Sequence, residues 1–153
     1  GVLAGVAGVP ALDDRVDGMI EGLGGLDVEI VATLPTDCDQ VKGTDAAETI
    51  LTANPDVTAI YAACGPPITG ALESIQNADR APDSIVVVGF DASPDEVAAI
   101  EAGTQDASVA QFPAKMGELG IETAYKAVTG AAFEAFVDTG TAIVTKENVA
   151  DFK

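Results

Sequence analysis

Short apolar, β-branched runs alternate along this chain with stretches whose apolar residues recur at helical spacing, and only a few residues separate one from the next. That alternation limits the fold more than any other feature. Val2 to Val6 reads as a first strand and Pro10 to Leu23 as a helix, with Leu12, Val16, Met19, Ile20 and Leu23 on one face. Val28 to Leu34, Val57 to Ala62, Ile85 to Gly89, Ala107 to Gln111 and Thr141 to Thr145 read as further strands. The intervening helices run from Asp39 to Ala53, from Pro66, from the Ser93-Pro94-Asp95-Glu96 capping box to Gly103, and from Pro113 to Thr129. Lys146 to Ala150 reads as one more helical turn. Strands joined by helices through tight loops predict an α/β fold built on an open, doubly wound parallel sheet. Its 153 residues correspond to about one domain.

Charge narrows the function classes. The chain carries 25 Asp and Glu against seven Lys and Arg, a net charge of −18. No basic face is available to meet phosphates, so no nucleic-acid partner is expected, and an anionic membrane surface is disfavoured. No apolar run approaches the roughly 20 residues of a membrane span. Such acidity suits a secreted or salt-adapted protein. The start at Gly1 reads as a chain whose leader was removed or whose beginning lies elsewhere.

Histidine is absent, which removes the commonest general base and metal ligand and every Ser-His or Cys-His pair. No catalytic residue, metal site or cofactor is expected. Gly5-Val6-Ala7-Gly8 lacks the third glycine of a dinucleotide fingerprint, and no P-loop is present. Asp37-Cys38-Asp39 begins like a calcium loop, but Val41 and Lys42 stand where a ligand and a glycine are needed. Cys38 and Cys64 are open to three readings: a disulfide, two buried thiols, or one reactive thiol.

Parallel sheets bind ligands beyond the carboxyl ends of their strands. That rule selects Val6 and Arg15 after the first strand, Cys38 after the second, Cys64 after the third, Phe90 and Asp91 after the fourth, and Gln111 after the fifth. A guanidinium fork, a carboxylate and an amide together suit a neutral polyhydroxy ligand. Each residue also has a structural reading. Arg15 suits a surface ion pair, Asp91 a turn cap, Gln111 a loop hydrogen bond and Phe90 the core.

The order of these segments resembles the carboxy-terminal half of ribose-type sugar receptors of the type I periplasmic binding protein family. The resemblance is carried by Gly5 to Gly18, Leu51 to Ile60, Val86-Val87-Val88-Gly89-Phe90-Asp91, Ser108 to Pro113 and Val144 to Asn148. It implies the ligand receptor of an ABC importer, periplasmic or at the cell surface, lipid-anchored or free. Such a receptor holds a monosaccharide or similar polyol between two lobes and presents it to a permease. It further implies that Arg15, Asp91 and Gln111 contact sugar and that Val6 lines an apolar part of the pocket.

Two positions depart from that pattern. Cys38 stands where the ribose receptor has a sugar-stacking phenylalanine, and Cys64 where it has an asparagine. Both fall on one rim, on loops after the strands expected to flank the first. Two strand spacings amount to about 9.6 Å, beyond the roughly 7 Å Cα limit of a disulfide unless the loops lean together. An oxidising compartment favours the bridge, whose role would be to fix the two loops.

Family members are about twice as long, with an amino-terminal lobe ahead of this one. The resemblance divides the chain into a sugar-binding lobe (1–103), a segment of the other lobe (104–135) and a return crossover with the tail (136–153). Strand 107–111 and helix 113–129 would then lack their partner. The expectation is a fragment, or a chain that pairs with a second copy through the surface left uncovered. One competing reading is the effector domain of a sugar-responsive transcription regulator, whose helix-turn-helix segment is not seen here. Another is a small α/β enzyme using Cys64 at a helix amino-terminus.

Overall fold

The computed structural model describes residues 1–78, 80 and 84–152. Among them, six strands form one sheet in the order β2-β1-β3-β4-β5-β6: β1 (Val2–Ala4), β2 (Thr33–Pro35), β3 (Ala59–Ala62), β4 (Val86–Phe90), β5 (Ala107–Gln111) and β6 (Thr141–Thr145). The first five run parallel, and β6 pairs antiparallel with β5. The helices are α1 (Pro10–Gly22), α2 (Gln40–Ala53), α3 (Gly65–Asn77), α4 (Pro94–Ala102) and α5 (Pro113–Thr129), followed by a 3-10 turn at Val149–Phe152. No helix among the described residues is long and apolar enough to cross a membrane.

The two faces of the sheet are covered unequally. Leu3 stands beside Ala62 and Ile60 beside Val87, and all four are buried against α2 and α3 together with Ala46, Ala47, Ile50, Ile68 and Ala71. The two helices can close on each other because a Cβ at Gly43 would lie 2.5 Å from the Pro67 backbone, and one at Gly70 would lie 2.3 Å from the Gln40 carbonyl. Farther along the same face, Val97 and Ile100 of α4 pack with Ala110, Val144 and Val149. Alternate residues point to the opposite face. There Tyr61 and Val88 are only half buried, and Val86 and Ile143 are exposed. α1 reaches that side near β1, where the Tyr61 hydroxyl donates to the Arg15 carbonyl at 3.4 Å. Neither α1 nor α5 buries any residue.

The structure corrects several sequence expectations. The first strand stops at Ala4, leaving Val6 in the loop beyond it. The strand expected at Val28 to Leu34 shrinks to Thr33–Pro35, because only these residues pair with β1. Val28, Ile30 and Val31 lie in an exposed approach to it, since β propensity forms no strand without a neighbour. Strand 107–111 does not lack partners. It lies between β4 and β6 and buries Ser108 and Ala110. Of these two elements, helix 113–129 is the one that keeps its apolar face in the open.

Candidate functional site at the carboxyl edge of the sheet

β1 lies between β2 and β3, so the chain leaves it toward one side and returns on the other. This is the switch point where loops diverge and open a crevice. Arg15, in the second turn of α1, spans it. Its Nη1 donates to the Ala63 carbonyl at 2.8 Å, and its guanidinium lies 3.8 Å from the centre of the Phe90 ring. Arg15 is therefore anchored by a backbone acceptor and an aromatic face, the latter a cation–π contact. Phe90 itself is buried, in keeping with its core reading, and serves as a floor under the arginine.

Asp91 follows directly and is exposed. Its Oδ1 accepts from Gln111 Nε2 at 2.5 Å, and its Oδ2 takes a long contact, 3.4 Å, from the Gly65 N–H. Gln111 ends β5, two strands' reach from β3, so β4 and β5 together bring the amide to the carboxylate. Arg15, Phe90, Asp91 and Gln111 thus form one connected group. Val6 is exposed in the loop after β1, and among the described residues no hydrogen bond joins it to the group.

Cys38 and Cys64 form a disulfide with a Cα–Cα distance of 5.5 Å. The two loops lean together by enough to close the roughly 9.6 Å of two strand spacings to within disulfide reach. Asp37 and Cys38 both take left-handed backbone angles, φ 51° and 55°, which turn the β2–α2 loop toward α3. Thr36 steadies that loop by donating to the Ala4 carbonyl at 2.7 Å, and Asp39 caps α2 by accepting from the Lys42 N–H. Lys42 also pairs with Asp37 at 2.5 Å, which raises the lysine pKa through the hydrogen bond and the opposite charge. With its thiol consumed, Cys64 has no nucleophile to offer. Among the described residues no group of three or more His, Cys, Asp or Glu is placed to hold a metal ion.

Sequence reasoning missed what lies beneath Asp91. The capping box of α4 is present, with Ser93 Oγ accepting from the Glu96 N–H and Glu96 Oε2 accepting from the Ser93 N–H at 3.0 Å. Glu96 is also fully buried, at 0% exposure. Its Oε1 accepts from Ser108 Oγ at 2.8 Å and from Gln105 Nε2 at 3.1 Å. Burial pushes the Glu96 carboxyl above the usual carboxylate range, against the opposing pull of the Ser93, Ser108 and Gln105 donors. The only sequence signal was the capping box. Nothing in the spacing linked Glu96 to residues nine and 12 positions on.

A family model described as a periplasmic binding protein domain matches residues 1–132. This chain belongs to that family. Among curated relatives of this periplasmic binding protein chain is the ribose import binding protein RbsB of Escherichia coli, 34% identical over 145 residues, covering 95% of this chain and 48% of the relative. The D-allose-binding periplasmic protein of the same organism is 33% identical over 122 residues, 79% of this chain and 39% of the relative. The chain spans about half the length of the curated relatives it matches.

Solved structures agree in fold. An ABC transporter solute-binding protein from Agrobacterium vitis with bound D-fucose superposes with a TM-score of 0.90 at 30% identity, over 97% of this chain and 51% of that one. A periplasmic solute-binding protein from Actinobacillus succinogenes with bound D-allose gives 0.92 at 25% identity, over 98% and 53%. The six-stranded sheet is thus one lobe of a type I periplasmic binding protein.

Proposed function

We propose that this chain is the sugar-binding lobe of an ABC importer's solute receptor, acting by recognition rather than catalysis. The observation that carries the reading is the connected set of Arg15, Phe90, Asp91 and Gln111 at the carboxyl edge of the sheet. A sugar ring presents hydroxyls that both donate and accept. The Asp91 carboxylate accepts from them, the remaining N–H groups of Arg15 donate to them, and Gln111 does both. Val6 supplies apolar surface, and the Cys38–Cys64 bridge forms the rim. Relatives that bind ribose, allose and fucose support a monosaccharide or similar polyol as ligand. In this reading a permease is the partner, the protein works in the periplasm or at the cell surface with or without a lipid anchor, and the sugar is held against a second lobe.

That second lobe also accounts for α5. Because strand 107–111 lies inside the sheet, we move the expected lobe boundary from residue 103 to residue 111, so that helix 113–129 and the residues to 135 lie against the other lobe and 136–153 return to the sheet. Wherever no second lobe covers it, a second copy of the chain is the natural cover for the exposed α5 face.

The test is a thermal-shift screen with pentoses, hexoses and polyols, run on this chain and on any longer protein that carries it. A ligand that binds only the native state raises the melting temperature with the logarithm of its concentration. A sugar that shifts the protein, and shifts Asp91→Asn far less, supports the reading. No shift with any sugar sinks it.

A further inference from the structure

Asp91 and Ala92 both have positive φ, 93° and 47°, although neither is glycine. Non-glycine residues reach this region only where surrounding structure holds them there. Three successive amides show what does the holding. The Asp91 N–H donates to the Val109 carbonyl at 2.8 Å, the Ala92 N–H to Ser108 Oγ at 3.0 Å, and the Ser93 N–H to Glu96 Oε2 at 3.0 Å. The Ser108 hydroxyl in turn donates a hydrogen bond to Glu96 Oε1. Two of the three amides therefore end on one carboxylate, one directly and one through a buried hydroxyl.

The surroundings are shaped to keep that carboxylate in place. A Cβ at Gly89 would lie 2.1 Å from Glu96 Oε1 and 2.8 Å from Gln105 Nε2. One at Gly65, whose own N–H reaches Asp91, would lie 3.1 Å from Glu96 Oε2. β4 and α3 thus each place a glycine against an acid that is more than a helix cap requires. An ordinary capping box satisfies two amides at an exposed helix end and needs no burial.

We propose that Glu96, acting through Ser108, is a positioning residue that holds the Asp91–Ala92 turn so that the Asp91 carboxylate faces the sugar. This rests on the sugar-binding reading above, with Asp91 as the group that touches ligand. Ser108 works as a relay: it accepts from Ala92 and donates to Glu96. Removing its hydroxyl frees the Ala92 amide and lets the strained turn relax.

The experiment combines amide hydrogen exchange at Ala92 with calorimetric titration of D-ribose and D-allose. It uses the unsubstituted protein, Ser108→Ala, Glu96→Gln, Asp91→Asn and the double variant Ser108→Ala with Asp91→Asn. Ser108→Ala and Glu96→Gln are expected to speed Ala92 exchange and to weaken sugar binding about tenfold, the scale of one lost hydrogen bond to a charged network. In the Asp91→Asn background, Ser108→Ala should cost nothing further, because the residue it positions is already disabled. Losses that simply add in the double variant overturn the proposal, as does unchanged exchange at Ala92. If Glu96→Gln does not fold, Ser108→Ala carries the test by itself. If the unsubstituted protein binds neither sugar nor any other in the panel, the sugar-binding reading fails, and Ala92 exchange still decides whether Glu96 and Ser108 hold the turn.

Discussion

Gly89 stands one residue before the end of β4, after three valines, and the side chains of Glu96, Gln105 and Ile68 explain the break. A methyl group there would collide with the buried carboxylate and with Gln105. Gly89→Ala should therefore destabilise the fold by about 3 kcal/mol, the upper range for forcing atoms into a packed interior, measured as a shift of the urea midpoint. The same carboxylate sets a pH dependence. Because burial raises its folded pKa above the ordinary range, the native state holds the proton more tightly than the unfolded chain does. The stability this contributes is present at low pH and is lost as pH rises through the folded pKa. The stability of the natural protein relative to Glu96→Gln should fall as pH rises from the ordinary carboxylate range through the raised folded pKa, and level off above it. A difference that grows with pH contradicts this. At this scale the sequence was half legible. Arg15, Asp91 and Gln111 could be picked out as candidates because they follow or end strands at one edge of the sheet, where the structure brings them together. The buried partners Gln105 and Ser108 could not, since only the pairing of β5 with β4 brings them under Glu96.

Among the elements, legibility followed neighbours. β5 and α5 begin and end where apolar periodicity and the Pro113 and Gly130 boundaries place them, with Gly130 in the left-handed cap conformation. The approach to β2 was misread because Val28, Ile30 and Val31 carry strand composition but find no strand to pair with. The disulfide belongs to this scale too, since it ties the β2–α2 loop to the start of α3 across β1. Cys64 stands between Ala63, whose carbonyl anchors Arg15, and Gly65, whose N–H reaches Asp91. Closing a separation of 26 residues stabilises by about 3 to 4 kcal/mol in the chain-entropy account. Cys38→Ser with Cys64→Ser, or reduction by dithiothreitol, should lower the urea midpoint by a corresponding amount. Sugar affinity measured well below the melting temperature should fall as well, because the loop that holds Arg15 is then released. Loss of stability with unchanged affinity would make the bridge a staple alone.

Across the whole molecule the sheet is finished on one face and open on the other, and α5 stands off with Ile121 75% and Val128 83% exposed. Tyr125 shares their helical spacing, and Phe133 and Phe136 in the segment after α5 are exposed as well. An exposed apolar helix face of this kind on a single chain draws a partner. Against it stands the net charge of −18, which every copy carries. Two such copies repel strongly at low ionic strength and much less once the Debye length falls from about 30 Å at 0.01 M salt to about 3 Å at 1 M. Self-association of this chain should therefore strengthen as salt is raised, seen as a growing sedimentation coefficient. Ile121→Glu with Val128→Glu should abolish it while moving the melting temperature little, because neither side chain is packed in the single chain. A longer protein that carries the second lobe should stay monomeric at every salt concentration, since its own lobe then covers α5. Association that weakens with salt, or that survives both glutamates, would place the contact elsewhere and leave the exposed face of α5 without the role given to it here.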